Sequence, residues 1–578
     1  MAPNTKSIEQ PLISKAKISG KGPDGFAIEE SLLERGHSRR MGHLENYFAI
    51  MQRQKLYTNF NMYGELNKEV TREQLAVAIR QILLRHPIMM QAIIPKKFPE
   101  HEEYYTSDDY YNTPFPENDF LRVITSKIKL SDIIINEQSE DYGEIIDMIL
   151  SEYKKNGYKF DAYMQELIGN IVIPIGNPNK PNWRLLCLPS AEGGGAQWKK
   201  FVYISNHCCS DAISAVNLFQ DIAENVSLIE QNSWAVPYAD DVIVDYEQDV
   251  ADIAKLPAPI TERVEYRPPL SKLPKIMLVS FLKTALNFKS DALETRCNDE
   301  YSGEPETSAV QMGDVCYDSI LNYTCEEVAV IRDRIKHNVH GKCTVTPFIQ
   351  AAFFVAMHQS RKLLGQKQGF KEWMSEWGVD MATPSSTRRY LPEDPEVRDM
   401  YKYGSNVGGI HYLYMISGMR VEREETEKFW SLVEYYHDIL LASHSNGDQT
   451  VGLGTLMLDV IVDKKNVDKL IRDEYLYQKR GGVIMSNAGY FHQDPAQAYH
   501  VTDLVFGQRP GALKFSFGVN VVSTNIGGMN LNVGMSDPRL HGAELAAELA
   551  AELAADVLPE VLPEVLPSKW RERERGRG

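Results

Sequence analysis

Long apolar runs are missing from this chain. No segment approaches the ~18 consecutive apolar residues that cross a bilayer, so the sequence reads as soluble or peripheral. The opening twenty residues, MAPNTKSIEQPLISKAKISG, lack the apolar stretch of a secretory signal. Cysteine is scarce and odd in number: Cys187, Cys208, Cys209, Cys297, Cys316, Cys325 and Cys343, with no C-x-x-C. That fits a reducing compartment and argues against a disulfide framework or a zinc site. Positive charge is also short. With 62 Lys+Arg against 79 Asp+Glu, the net charge is −17, which excludes the basic surface of a general nucleic-acid binder. Finally, G-x-S-x-G and the P-loop are absent, and the single G-x-G-x-x-G match, Gly20–Gly25, falls in the polar opening segment with no strand before it, so nucleophile-elbow hydrolase, NTPase and dinucleotide readings have no support.

What is present is an ordinary globular composition, 43% hydrophobic over 578 residues. That is enough for one large two-part fold or for two to four domains. The informative stretch is 201–224, FVYISNHCCSDAISAVNLFQDIAE. Phe201, Val202, Tyr203 and Ile204 read as a buried strand. Ser210 or Asp211 suits an N-cap, and Ile213, Val216, Phe219 and Ala223 follow near helical spacing. The pattern predicts strand, turn and helix, with His207 where the strand ends and Asp211 where the helix begins. His207 is either a general base at a sheet's rim or a hydrogen-bonded histidine closing a strand. H-x-x-x-D alone is a weak motif, and His444 with Asp448 repeats the spacing. That second pair follows a helical run in a polar turn with no strand before it, so context selects His207.

Along the chain, residues 1–25 are polar and read as disordered. A helical pattern is expected from Ile28 into RRMGHLENYFAIMQRQKLY, with Leu44, Tyr47, Phe48 and Met51 on one face. NFNMYGEL reads as a strand. Thr71–Arg85 is a helix with a Thr71/Gln74 capping box, stopped before Pro87. MMQAIIP is read as a strand, 104–116 as a loop, 145–153 as a helix, WRLLCL as a strand and 192–196 as a hairpin. The stretch 246–275 is acidic, contains proline and reads as a linker between 26–245 and 276–540. In the second part, helices are expected over 325–339 and 346–363, with Pro347 near the N-terminus of the latter. Strands are expected at GGIHYLYMI, VIMSN, FSFGVNVVST and 529–533. Residues 541–578 change to Ala-Glu-Leu-Ala repeats, VLPEVLPEVLP and RERERGRG, a low-complexity tail that reads as an artefact of reading frame rather than a functional segment. The whole predicts α/β architecture in two similar domains with a cleft between them.

Eight segments carry a resemblance: 36–48 (GHSRRMGHLENYF), 83–87 (LLRHP), 181–189 (PNWRLLCLP), 205–214 (SNHCCSDAIS), 341–353 (GKCTVTPFIQAAF), 401–409 (YKYGSNVGG), 479–487 (KRGGVIMSN) and 523–533 (STNIGGMNLNV). Together they resemble the fungal alcohol O-acetyltransferases, relatives of the plant BAHD acyltransferases and of the chloramphenicol acetyltransferase and condensation-domain group. The similarity covers about 36–533. It implies two chloramphenicol-acetyltransferase-like domains of mixed sheets flanked by helices, with an active-site channel between them. It implies acetyl-CoA as co-substrate, no metal, and an alcohol or a sterol as acceptor. A monomer is expected, on the cytoplasmic side, with peripheral attachment to endoplasmic reticulum or lipid droplet. Carried onto this sequence, His207 takes the proton of the alcohol and Asp211 holds the loop by pairing with an arginine. Arg388 matches that arginine's position, with Arg389 as the alternative. Asn406 and Ser486 fall in motifs near the channel, where they would serve the oxyanion or the cofactor, or form turns. Two departures stand out. Ala212 replaces the family's usual glycine, and DFGWG is reduced to Asp503-Leu-Val-Phe-Gly-Gln-Arg-Pro510, a structural counterpart.

Three rival readings remain open at this level. Cys208 or Cys209 could be a nucleophile next to His207, although adjacent residues on an extended chain face opposite ways. A metal site would need a second ligand cluster. A non-catalytic relative could bind sterol or lipid without turnover.

Overall fold

A computed structural model describes residues 30–535, apart from 54–55, 58, 95–118, 138, 140–142, 174, 176, 192–196, 275, 279–316, 360–377, 423–424, 459–465, 476–481 and 509–514. The expectations for 1–25, 104–116, 192–196 and 541–578 lie outside the described residues.

Two sheets organise the molecule. The first runs in the order β14 (Val501–Gln508), β2 (Phe60–Thr71), β8 (Gln197–Ser205), β7 (Trp183–Leu188), β6 (Ile134–Ile135). The second runs β10 (Tyr317–Tyr323), β16 (Gly528–Met535), β15 (Phe517–Thr524), β13 (Val483–Phe491), β11 (Gly378–Ser386), β12 (Val407–Met415). A small sheet joins β1 (Ser38–Arg40), β4 (Phe120–Val123) and β3 (Gln91–Ile94), and β5 (Ile128–Lys129) pairs with β9 (Val242–Val244). Both large sheets mix parallel and antiparallel pairs, and helices cover them.

Local chemistry explains the elements. Helix Arg72–Arg85 starts on a complete Thr71/Gln74 capping box, and Cys325–Asn338 on the equivalent Thr324/Glu327 pair, each satisfying two otherwise orphaned backbone donors. Leu75, Ala78, Ile79, Ile82 and Leu83 are all buried, as their spacing requires. Two expectations need correcting. The strand read over MMQAIIP covers only Gln91–Ile94, because Pro87 opens a 3-10 turn that holds Met89 and Met90. The helical pattern from Ile28 is not continuous: Glu30–Arg35 ends, β1 follows, and a new helix spans His43–Arg53. The amphipathic spacing hid the break because β1 is held by long-range pairing with β4.

The two halves interlock. β14, from late in the chain, pairs along its length with β2 in the first sheet. The stretch 246–274 passes between the halves as a packed strap: Ile260, Val264 and Tyr266 are buried with Leu44, Leu391, Tyr401 and Met457. Tyr266 donates its hydroxyl to the Val407 carbonyl at 2.7 Å. No helix among the described residues is long and apolar enough to cross a membrane.

Candidate active site

β8 ends at Ser205 and the helix Ala212–Asn232 begins seven residues later, so His207 projects from a tight turn. The turn is stiffened from within: Tyr203 donates its hydroxyl to Ser210 Oγ at 2.9 Å, and Ser205 Oγ donates to the Asn206 carbonyl at 3.0 Å. Asp211 is the N-cap, accepting from Ser214 N at 2.9 Å. Because the helix starts at Ala212, that residue occupies helical backbone, where alanine is favourable.

Asp211 is 1% exposed and fully engaged. Arg388 reaches it with Nη1 to Oδ2 at 2.7 Å and Nη2 to Oδ1 at 3.1 Å. Ser214 Oγ and the Asn406 amide donate to it at 2.8 and 3.0 Å. The remaining Arg388 donors go to the carbonyls of Tyr401, Lys402 and Gly404. Burial alone would raise the Asp211 pKa; the Arg388 charge and these hydrogen bonds outweigh it and leave it below the ordinary carboxylate value. The loop 401–406 can present its carbonyls this way because Gly404 adopts φ +115°, a conformation that L side chains rarely take. Lys402 and Tyr403 anchor the same loop to Asp221.

Above this lock sits the imidazole. Phe48 stacks on it with centroids 4.1 Å apart and planes within 8°. Phe60 and Tyr57 flank it at 5.2 and 5.9 Å. Ser405 Oγ lies 3.5 Å from Nδ1, at the outer limit of a hydrogen bond. As a residue, His207 is half-buried. Burial pushes its pKa below the ordinary histidine value, and the Asp211 carboxylate opposes this without reversing it. The ring is therefore a neutral base near pH 7.

The aromatic wall is what sequence reasoning missed. Its signal was Phe48 inside 36–48, a segment whose architecture now has a cause. Arg39 forks onto both Glu45 oxygens at 2.7 and 2.8 Å, and the Gly42 amide donates to Glu45 at 2.7 Å. At Gly42, a Cβ would sit 2.5 Å from Pro259 of the strap, so only glycine allows this approach. Together these contacts set the helix His43–Arg53 at the angle that delivers Phe48 to His207. A small cleft opens on the same helix, lined by the polar His43 and Asn46 and by Leu44, Tyr47, Leu453, Met457, Val467 and Ile471 from both halves.

The other candidates separate clearly. Arg388, not Arg389, makes the pair; Arg389 turns outward to His444 at 3.2 Å. The Asn406 side-chain amide donates to the carbonyls of Tyr401 and Tyr403, each at 3.1 Å, so those donors form the turn rather than point at a ligand. Ser486 is buried on β13 opposite Asn520. Asp503, on β14, accepts from Asn530 Nδ2 at 2.7 Å and ties the two sheets together; burial pushes its pKa up to about 6. The Cys208 thiol donates to Asn206 and is buried, which raises its pKa well above the usual value and removes the thiolate a nucleophile needs. Cys209 is buried as well, with its sulfur toward Asn206. Among the described residues, no group of three or more His, Cys, Asp or Glu is placed to hold a metal ion.

The second H-x-x-x-D is scattered. His444 ends the helix Thr426–Asn446 beside Arg389, and Asp448 pairs with Lys272 at 2.7 Å. Burial and Arg389 push the His444 pKa down to about 4. His444→Ala should leave steady-state rates within about twofold of the parent, because the ring sits outside the seam; a large loss of kcat would mean the base had been misassigned.

Comparison with solved structures gives the class first. The chain superposes on TRI3 trichothecene 15-O-acetyltransferase from Fusarium sporotrichioides with a TM-score of 0.54 at 11% identity, covering 90% of this chain and 96% of that one. The fold is that of the chloramphenicol-acetyltransferase-like acyltransferases. The family is equally definite. The alcohol acetyltransferase family model matches residues 40–553. The chain is 46% identical over 510 residues to alcohol O-acetyltransferase 2 of Saccharomyces cerevisiae, covering 88% of this chain and 92% of the relative. Against alcohol O-acetyltransferase 1 of the same yeast it is 36% identical over 506 residues, covering 87% and 92%. The chain belongs to the alcohol acetyltransferase family.

Proposed function

We propose that this protein transfers the acetyl group of acetyl-CoA to an alcohol hydroxyl, giving an acetate ester and free CoA, with His207 as general base. The observation that carries the reading is the His207 ring itself. It is neutral, partly buried among Phe48, Tyr57 and Phe60, and fixed at the seam by a turn that the Asp211–Arg388 pair locks.

His207 accepts the proton of the alcohol as its oxygen attacks the thioester carbonyl. The tetrahedral oxyanion then collapses, the carbon–sulfur bond breaks, and the imidazolium returns the proton to the CoA thiolate. No acyl-enzyme forms, which agrees with the protonated, buried Cys208. Asp211 touches neither substrate; its oxygens are spent on Arg388, Ser214 and Asn406.

The test is to incubate the full chain with acetyl-CoA and isoamyl alcohol, with pregnenolone in parallel, measuring CoA release and ester. Ester from isoamyl alcohol supports the reading, ester from pregnenolone alone moves the acceptor to sterols, and no ester from any alcohol or sterol leaves a binding protein. The pH profile is a separate check. A base must be unprotonated, so kcat/KM should fall as pH drops through the His207 pKa. Since burial lowers that pKa, the acid limb should turn below 6.5. A limb turning above neutrality would contradict the desolvated environment.

A further inference from the structure

The face of the second sheet that looks toward the first half carries an anomaly. On β15 and β16, Val519, Val521, Leu531 and Val533 belong to the core under the helices of the second half. Their alternates, 518, 520, 522 and 530, 532, 534, therefore face the other way. Three cross-strand rows result. In the first, Val522 joins the apolar cluster of Phe60 and Phe506, while its partner Asn530 donates to the Leu504 carbonyl at 2.6 Å. Here the sheet is packed tight against β14. In the next row, Asn520 opposes Asn532. Both are buried, 1% and 0% exposed, and neither side-chain amide has a hydrogen-bond partner on its oxygen or its nitrogen. In the third, Gly518 opposes Gly534, so β15 and β16 carry no side chain there, and the row resumes with Ile484 on β13 and Asp318 on β10. Ser486 extends the middle row onto β13.

Two buried amides with all polar atoms idle are costly, and native proteins keep few such groups. These two stand where the packed contact with β14 gives way to the Gly518/Gly534 gap between Ile484 and Asp318. The direction also fits. β16 runs along β14 in the same sense, from Gly527 beside Thr502 to Asn530 at Leu504, so Asn532 lies one pleat further toward Phe506. Phe506 contacts Phe60, whose ring flanks His207. The amide row thus lies on the wall of the seam leading to the base.

We propose that Asn520 and Asn532 bind the amide-bearing pantetheine arm of the acyl donor, their side chains exchanging N–H and C=O bonds with its secondary amides while the Gly518/Gly534 strip lets the extended arm lie against the sheet. An amide pair facing a chain of amides satisfies donors and acceptors on both sides, which a hydrocarbon acceptor cannot do. The inference rests on the transferase reading, and the experiment separates the two.

Asn520→Leu, Asn532→Leu and the double variant keep side-chain volume and remove the polar atoms. Thermal melting should hold or rise, because a desolvated amide is gone. KM for acetyl-CoA should increase about tenfold or more in the double variant, with KM for isoamyl alcohol little changed. The loss of kcat/KM with acetyl-CoA should exceed by about tenfold the loss with S-ethyl thioacetate, a donor without amides. Calorimetric titration of CoA itself needs no turnover and should show the same weakening. If leucine at either position prevents folding, Asn520→Ala and Asn532→Ala provide the same ratios. Raised stability with unchanged donor KM and CoA affinity would show that the pair holds only water, and a rise confined to the alcohol KM would assign it to the acceptor; either overturns the proposal. A parent protein that binds CoA through these residues yet makes no ester would sink the transferase reading and leave this one standing.

Discussion

His207→Ala should remove nearly all acetyl transfer and leave the fold intact. General-base catalysis contributes on the order of 10²–10⁴ in rate, about 3–5 kcal/mol of barrier. The fold should survive because His207 is a half-buried residue whose ring contacts are aromatic ones with Phe48, Phe60 and Tyr57, while Asp211 has its own partners. The measurement is kcat on acetyl-CoA and isoamyl alcohol beside the melting temperature. A variant with more than a tenth of parental kcat would show that His207 is not the base. Collapse of the melting temperature would instead show a structural histidine, the bland alternative that the sequence left open.

Asp211→Ala should damage stability and rate together. The substitution leaves Arg388, 14% exposed, facing carbonyls with its counter-charge gone, and it removes the N-cap of a 21-residue helix. Breaking a buried pair by deleting one partner costs roughly 3–5 kcal/mol, and loss of the cap about 1 kcal/mol, not strictly additive. Activity falls because Asp211 anchors the turn carrying His207 to the loop carrying Ser405 and Asn406. Asp211→Asn keeps the cap and much of the hydrogen bonding, so it should fall between the parent and alanine. With Arg388→Ala, the double variant should be less destabilised than the sum of the singles, since each already breaks the same pair. The pH dependence has a definite sign. The Asp211 pKa is depressed on folding, so its contribution to stability is present above the ordinary carboxylate value near 3.8 and is lost as pH falls through the folded-state value. Unchanged melting and unchanged kcat in Asp211→Ala would refute the interface lock.

Legibility in the sequence followed the range of the interactions involved. Helix 72–85 and its capping box were readable because the cap, the stripe and the stop at Pro87 all lie within a few residues. The strand–turn–helix around His207 was readable for the same reason. The break between Arg35 and His43 was not, since β1 exists only through pairing with β4, some eighty residues away. β14 was seen as a motif remnant of structural weight, but not as a strand that leaves its own half to pair with β2. The choice between Arg388 and Arg389 had no local signal either. Both sit in one short 3-10 turn, and only its orientation sends one inward to Asp211 and the other out to His444.

By itself the sequence determined the element types, the candidate base and its carboxylate, and the family these belong to, because periodicity, caps and motifs are written in neighbouring residues. Tertiary structure decided which arginine locks Asp211, that Phe48 stacks on His207, that the Asn406 side chain serves a turn, and that two asparagines stand idle at the seam. The first two depend on groups far apart in the chain being brought within a few ångströms, which no local pattern encodes; the Asn406 turn and the asparagine row are close in sequence, but their surroundings are set by the packing of the two halves.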